Sequence, residues 1–271
     1  PVLELKIKKN TFLVIEASSF QLSHSKFIHP DFAILLNITS DHLDWHGSFN
    51  AYISSKLKIF NLQNRNNFAL LNNNLKRIFR NRGYRSKLMP IKIEKYHKIK
   101  SKIKNLYLRS NTNDENMIFA FTLAKLFKIN QKSFINSMNS FVGLPHRYET
   151  FYKKKNIVFI NDSKATSLQS SKFALMEKKN IFWILGGLPK YKDKINLNDV
   201  KDNVIKSYII GKKTSFFAKK LKNKIKFSVS RNLKNAIISA LKDTRLLKNF
   251  NNTILLSPGA ASFDQFKNFE V

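Results

Sequence analysis

Short apolar runs that end in polar residues recur along this chain. Thr11-Phe-Leu-Val-Ile-Glu16 and Phe32-Ala-Ile-Leu-Leu-Asn37 have that form. So do Phe68-Ala-Leu-Leu71, Asn156-Ile-Val-Phe-Ile160, Ile181-Phe-Trp-Ile-Leu185, Tyr208-Ile-Ile210 and Ile254-Leu-Leu256. Unbroken Ile, Val, Leu and Phe is the mark of a strand buried on both faces, as parallel strands are. Helices are expected between the runs, over 48–60, 113–128, 131–141, 167–179, 213–221, 231–242 and 262–270. Within 113–128, Met117, Phe121, Ala124 and Leu126 fall broadly on one face. Lys76 to Arg109 is basic, weakly periodic and not assigned by its pattern; it could hold an edge hairpin. Strands separated by helices predict an α/β chain with parallel sheets covered on both faces. Gly143 and Pro145 interrupt the pattern, so the chain divides into 1–143 and 144–271.

In open α/β sheets, chemistry collects where strands end at their carboxyl edge. The run ending at Ile160 is followed by Asn161-Asp-Ser-Lys-Ala-Thr166, which offers a carboxylate (Asp162), a cation (Lys164) and hydroxyls (Ser163, Thr166). Arg147 lies just before that run, in Gly143-Leu-Pro-His-Arg-Tyr-Glu149. The mixture suits phosphates and ribose hydroxyls; a polar loop with a Ser or Thr capping the next helix is the plain alternative. Glu16 and an Asp-His pair at 41–42 end neighbouring runs and are placed to share a divalent cation. His42 alone also reads as an ordinary loop residue. Lys56, on the helical face with Tyr52 and Phe60, also reads as a snorkelling lysine. Asn113 and Asn116, one turn apart, could offer two amides to a nucleobase edge, or Asn113 could cap its helix. Gly186-Gly-Leu-Pro-Lys190 and Leu256-Ser-Pro-Gly-Ala-Ala-Ser-Phe-Asp-Gln-Phe266 read either as anion-holding turns or as packing turns.

Composition narrows the class. At 43% hydrophobic and 13% aromatic, the main body is not a disordered sequence. The absence of cysteine rules out disulfides and thiolate metal sites and suits a reducing cytoplasm. No apolar run approaches membrane-spanning length, and the opening residues lack a signal pattern. A soluble, cytoplasmic monomer is the expectation. Forty-nine Lys and Arg against 17 Asp and Glu give a net charge of +32. The lysines are scattered among Asn and Ile with no dense stripe, which reads as a compositional bias, and no nucleic-acid partner is expected.

Taken in order, several stretches resemble the Mur ligase family. They are Glu16-Ala-Ser-Ser-Phe-Gln-Leu22, Asn37-Ile-Thr-Ser-Asp-His-Leu-Asp44, the helix with Lys56, Gly143 through Glu149, Asn161 through Thr166, Gly186-Gly187 with Lys190, and Leu256-Ser-Pro through Asp264-Gln-Phe-Lys-Asn-Phe-Glu270. The last is similar to members that add D-glutamate. The resemblance implies the remainder of a mononucleotide-binding parallel-sheet ATPase domain in 1–143, and a Rossmann-like, D-glutamate-binding α/β domain in 144–271. The implied reaction is ATP-dependent amide formation: UDP-N-acetylmuramoyl-L-alanine is activated as an acyl phosphate and D-glutamate is joined to it, for peptidoglycan synthesis. By the same resemblance Glu16, His42 and a carbamylated Lys56 hold Mg²⁺, expected as two ions. Asn113, Asn116, Arg147 and Asp162 hold ATP, and Lys164, Thr166, Lys190, Ser262, Phe263 and Phe269 frame D-glutamate. Lys56, His42 and Lys164 are the expected catalytic groups. Two departures stand out. Leu188 replaces an acidic residue of some members. No Gly-Lys-Ser/Thr phosphate loop occurs, since Gly211-Lys-Lys-Thr214 lacks the spacing. A partial chain, lacking the N-terminal domain and that loop and inactive alone, is therefore expected. A folylpolyglutamate-type ligase and a non-catalytic basic nucleic-acid-binding protein are the alternatives.

Overall fold

The computed structural model describes every residue except 1–3, 5, 7, 10, 40, 41, 106, 111, 112, 191, 192, 194, 248–250 and 268–271. The chain forms two compact units, Pro1–Ser140 and Phe141–Val271.

In the first unit three strands, β1 (Phe32–Leu35), β2 (Phe68–Asn72) and β3 (Lys87–Ile91), lie in the order β1-β2-β3. Both pairings are parallel, with Phe32 opposite Phe68 and Phe68 opposite Lys87. Around them run α1 (Ser19–His24), α2 (Leu43–His46), α3 (Phe49–Leu57), α4 (Lys76–Asn81), α5 (Glu94–Lys100), α6 (Asp114–Leu126) and α7 (Gln131–Ser140). Ala33 and Leu35 of β1 and Ala69 and Leu71 of β2 share one core with Leu57, Phe60 and Phe79. Alternate positions of each strand therefore face the same helices. On α6, Met117, Ile118, Phe119, Phe121 and Ala124 are buried, more than one face's worth, as expected of a helix packed on several sides.

Two expectations fail in this unit. Thr11–Glu16 is not a strand: its residues join no strand among the described residues and are exposed, Val14 at 92%. An apolar run becomes a strand only where a neighbour's edge accepts its hydrogen bonds, and among the described residues β1 has no partner beyond β2. Nor does 76–109 hold a hairpin. It forms α4, β3 and α5, with β3 parallel to β2.

The second unit contains β4 (Glu149–Lys154), β5 (Ile157–Asn161), β6 (Ile181–Gly186), β7 (Val204–Ile210), β8 (Phe227–Arg231) and β9 (Asn252–Leu256), with helices α8 (Leu168–Met176), α9 (Thr214–Leu221) and α10 (Leu233–Thr244). The sheet order is β4-β5-β9-β6-β7-β8, parallel except for β4 against β5. Ile181, Trp183 and Leu185 of β6 enter one core and Phe182 and Ile184 the other. That two-sided burial is why β6 reads as a continuous apolar run. Trp183, fully buried, donates its Nε1–H to the Ser257 carbonyl at 2.8 Å, the partner a buried indole needs.

Sequence reading missed two strands here. Both β4 and β8 are outer strands whose positions are mostly exposed, so no apolar run marks them. The helix expected over 262–270 is not formed at 262–267, which turn once around Ser262. The reason is tertiary: Asp264 Oδ2 accepts the Lys212 N–H at 2.7 Å, which fixes the turn against the end of β7. Residues 268–270 lie outside the described residues.

Candidate active site

In the first unit Glu16 is exposed, two residues before Ser18, whose hydroxyl and Gln21 form a capping box on α1. His42 sits at the start of α2 with φ +53°, a left-handed conformation that turns its ring edge-on to Phe20 at 4.8 Å. Phe20 stacks on His46, His46 meets Tyr52, and the Lys56 Nζ lies 5.3 Å from the centre of the Tyr52 ring. A continuous aromatic bridge thus runs from His42 to Lys56. Asp41 lies outside the described residues.

Among the described residues no three His, Asp or Glu side chains converge on one point. A fully protein-built cage for a cation is therefore absent from them. Glu16 and His42, both exposed, are instead a sparse donor set of the kind that suits Mg²⁺ arriving with phosphate, since that ion keeps waters and substrate oxygens in most of its positions.

At the head of α6 the two asparagines have different duties. Asn113 is buried; its Nδ2 donates to the Tyr107 carbonyl at 2.8 Å and to Ser110 Oγ at 3.2 Å, and its Oδ1 accepts from Asn116 Nδ2 at 3.2 Å. It makes no capping bond to its own helix. Asn116 is exposed, so it is the amide with a face left for a ligand, and Asn113 orients it.

In the second unit the two flanking motifs of β5 come together. The Tyr148 N–H donates to Asp162 Oδ1 at 3.1 Å, the Lys164 N–H to the His146 carbonyl at 3.1 Å, and Asn161 Nδ2 lies 2.9 Å from His146 Nδ1. His146 and Tyr148 both have positive φ, at +64° and +47°. That strain is offset by these bonds and leaves Arg147 exposed beside Asp162. Ser167, the expected kind of capping residue, opens α8 through a capping box with Ser170.

Asp162 is the most perturbed acid of the site. Ser257 Oγ donates to its Oδ2 at 2.7 Å, and Ser171 Oγ lies 2.8 Å from Ser257 Oγ. Burial pushes its carboxyl from 3.8 up to about 6, against the opposing pull of Ser257, the Tyr148 N–H and Arg147. The folded chain therefore holds this proton more tightly than the unfolded chain. The group's contribution is full below about pH 4 and is lost as pH rises to about 6, a change on the order of 2–3 kcal/mol. Urea unfolding at pH 4 and pH 7 is expected to show that loss in the native chain, and the Asp162→Asn variant to lack it. An identical pH dependence in both would contradict the assignment.

The remaining candidates gather at one edge of this sheet. Gly186 N–H donates to the Pro258 carbonyl at 3.0 Å, and Leu188 exchanges backbone bonds with Ala261 at 2.7 and 3.0 Å. Gly259 N–H donates to the Ala165 carbonyl at 2.9 Å. The loops after β5, β9 and β6, adjacent in the sheet, are thus laced to one another. They carry Lys164 and Thr166, Ser262 and Phe263, and Lys190 respectively. Lys164, Thr166, Lys190 and Phe263 are exposed and Ser262 is half-buried. Phe269 lies outside the described residues. Sequence reasoning missed Ser257, Asp264 and Asp193, whose Oδ2 accepts the Leu168 N–H at 2.6 Å at the head of α8. For Ser257 and Asp264 the available signal was a polar residue inside a small-residue turn just after an apolar run.

Residues 2–139 match the family model of the Mur ligase middle domain. Over its whole length the chain is 34% identical to the UDP-N-acetylmuramoylalanine–D-glutamate ligase of Rickettsia felis, covering 64% of that relative. It is 35% identical to the ligase of the same name from Wolbachia sp. subsp. Brugia malayi, over 90% of the chain and 52% of the relative. The chain thus spans between half and two thirds of the length of these relatives. A crystal structure of MurF from Acinetobacter baumannii superposes with a TM-score of 0.67 at 12% identity, over 92% of this chain and 60% of that one. The UDP-N-acetylmuramate-alanine ligase MurC of Thermotoga maritima superposes at 0.55 and 16% identity, over 90% of this chain and 58% of that one. At those identities the likeness speaks for the fold.

Proposed function

Taking as premise that the chain belongs to the Mur ligase family, we propose that the protein it forms joins D-glutamate to UDP-N-acetylmuramoyl-L-alanine at the expense of ATP. One observation carries the choice of amino acid: the loops after β5, β9 and β6 are laced into a single edge that bears Lys164, Lys190, Thr166 and Ser262. Two flexible cations with adjacent hydroxyls are complementary to a small dicarboxylate. The name borne by the relatives favours this reading over a folylpolyglutamate-type ligase. We assign residues 1–143 to the ATP-binding part and 144–271 to the D-glutamate-binding part.

The alanyl carboxylate is a poor acyl donor until one of its oxygens becomes a good leaving group. That oxygen attacks the γ-phosphorus of ATP and ADP departs, giving an acyl phosphate. The amine of D-glutamate then attacks the carbonyl carbon, sheds a proton, and inorganic phosphate leaves. Approach of one anion to another is the barrier, and positive charge held in place lowers it. Glu16, His42 and Lys56, the last as its carbamate, would hold Mg²⁺, which screens the phosphates when bound. Carbamylation turns an ammonium that repels a cation into an anionic oxygen ligand. Asn116, oriented by Asn113, would meet the base. Arg147 and Asp162 would meet the nucleotide, Asp162 at the ribose, where each of its oxygens keeps a lone pair beyond its internal bond. Lys164 and Lys190 would take the two carboxylates of D-glutamate, with Thr166, Ser262, Phe263 and Phe269 around them.

The test is phosphate release by the protein carrying this chain, given ATP, Mg²⁺ and UDP-N-acetylmuramoyl-L-alanine. Release is expected on addition of D-glutamate and to stay at background with L-glutamate, glycine or D-alanine. Equal release with L-glutamate, or release that ignores the added amino acid, would overturn the reading.

A further inference from the structure

Glu115 stands between the two asparagines at the head of α6, and nothing in the proposed chemistry uses it. Its Oε2 accepts from Asn37 Nδ2 at 2.8 Å and its Oε1 from Asn72 Nδ2 at 2.7 Å. Asn72 ends β2, and Asn37 follows β1 by two residues. One carboxylate therefore ties the carboxyl ends of two adjacent parallel strands to the first turn of a helix. Asn72 is fixed further, because its Oδ1 accepts the Asn74 N–H at 3.1 Å.

A carboxylate only accepts, so each amide must turn its NH₂ group toward Glu115. For Asn37, which is exposed, this leaves Oδ1 on the side away from Glu115, and the orientation is dictated, not chosen by solvent. Asn37 also begins the segment that leads to His42. On the same helix, Glu115 is one residue from Asn116 and two from Asn113. The clamp thus ties the start of the segment leading to His42 to the helical turn proposed to meet the base.

We propose that Glu115 is a positioning residue for binding of the metal–nucleotide complex, acting by fixing Asn37 and Asn72 against α6. This rests on reading the first unit as the nucleotide-binding one. In that role Glu115 touches no substrate; it sets the placement of the segment leading to His42 against the turn that carries Asn116. Misplacement on the ångström scale is enough to weaken a site of this kind severely.

The measurement is equilibrium binding of Mg-ADP to the full protein, in native form and in variants, with thermal midpoints recorded alongside. Glu115→Gln keeps size and shape but turns one acceptor into a donor facing an amide NH₂. It is expected to weaken Mg-ADP about tenfold, with the KM for D-glutamate unchanged within about twofold. Asn37→Ala removes one of the two contacts at an exposed position and is expected to weaken Mg-ADP in the same direction. Combining Glu115→Gln with Asn37→Asp restores an acceptor opposite the new donor, and affinity is expected to return to within about threefold of native. A general loss of fold would move the Mg-ADP affinity and the KM for D-glutamate together and would not be repaired by the second change. Native-like Mg-ADP affinity in Glu115→Gln, no recovery in the double variant, or no binding of Mg-ADP by the native protein would each overturn the proposal. Mg-ADP binding that responds as described, in a protein that fails to ligate D-glutamate, would sink the substrate assignment and leave the clamp standing.

Discussion

Lys56→Ala is expected to lower D-glutamate-dependent phosphate release by about a thousandfold with little change in thermal midpoint. The residue lies in the last turn of α3, half-buried, with its Nζ 5.3 Å from the centre of the Tyr52 ring. Alanine suits a helix, so truncation there costs the fold little. Its effect on the reaction is large if the side chain carries an anionic oxygen to the cation that screens the phosphates; removing one such electrostatic group costs on the order of 10²–10³ in rate. Lys56→Arg separates this role from a plain positive charge. Guanidinium keeps the charge but neither carbamylates nor binds a cation, so the arginine variant is expected to be as slow as the alanine variant. An arginine variant with near-native rate would show that Lys56 works as a cation, and the carbamate would be withdrawn.

Gly186→Ala is expected to unfold the second unit. Gly186 closes β6 at φ +136°, where a side chain is strained whatever the space around it. An added Cβ would lie 2.0 Å from the Ile210 carbonyl oxygen and 2.8 Å from its carbon, backbone atoms at the end of the neighbouring β7. Neither strand can retreat, since β6 and β7 are buried between two cores. A clash of this kind combined with positive φ is expected to cost more than about 4 kcal/mol. Trp183, three residues earlier in β6, reports the loss through its fluorescence, and Gly187→Ala, whose Cβ would lie 2.3 Å from the Ala261 carbonyl oxygen, is expected to act in the same direction. A Gly186→Ala chain whose unfolding free energy stays within about 1 kcal/mol of native would show that the paired ends of β6 and β7 have slack the packing does not suggest.

The strands most legible in sequence are those whose burial is two-sided. Ile181–Gly186 and Asn252–Leu256 read as apolar runs because both faces are buried, whereas Phe32–Leu35 and Ile157–Asn161 are only partly buried and read as runs on their apolar residues alone. Glu149–Lys154 and Phe227–Arg231 did not, because an outer strand is defined by what it pairs with and leaves no run behind. Thr11–Glu16 is the converse: a run with no edge to join among the described residues. Local chemistry followed the same rule. The loop 161–166 and the motif 143–149 were visible as residue types, and the hydrogen bonds between Tyr148, His146, Asp162 and Lys164 joined them. The partners of Ser257 and Glu115 were not visible. Ser257 reaches Asp162 across 95 residues, and Glu115 reaches Asn37 and Asn72 across 78 and 43. Partners so distant are set by topology and not by spacing.

In the proposed reaction a carboxylate oxygen of the acceptor substrate becomes the bridge to phosphate. Labelling the alanyl carboxylate of UDP-N-acetylmuramoyl-L-alanine with ¹⁸O, and weighing the phosphate released by the protein carrying this chain, follows that oxygen. One heavy oxygen per phosphate, appearing together with the D-glutamyl product, is the expected result. Phosphate that carries only ordinary oxygen while product accumulates would mean that ATP hydrolysis and amide formation proceed without the acyl phosphate.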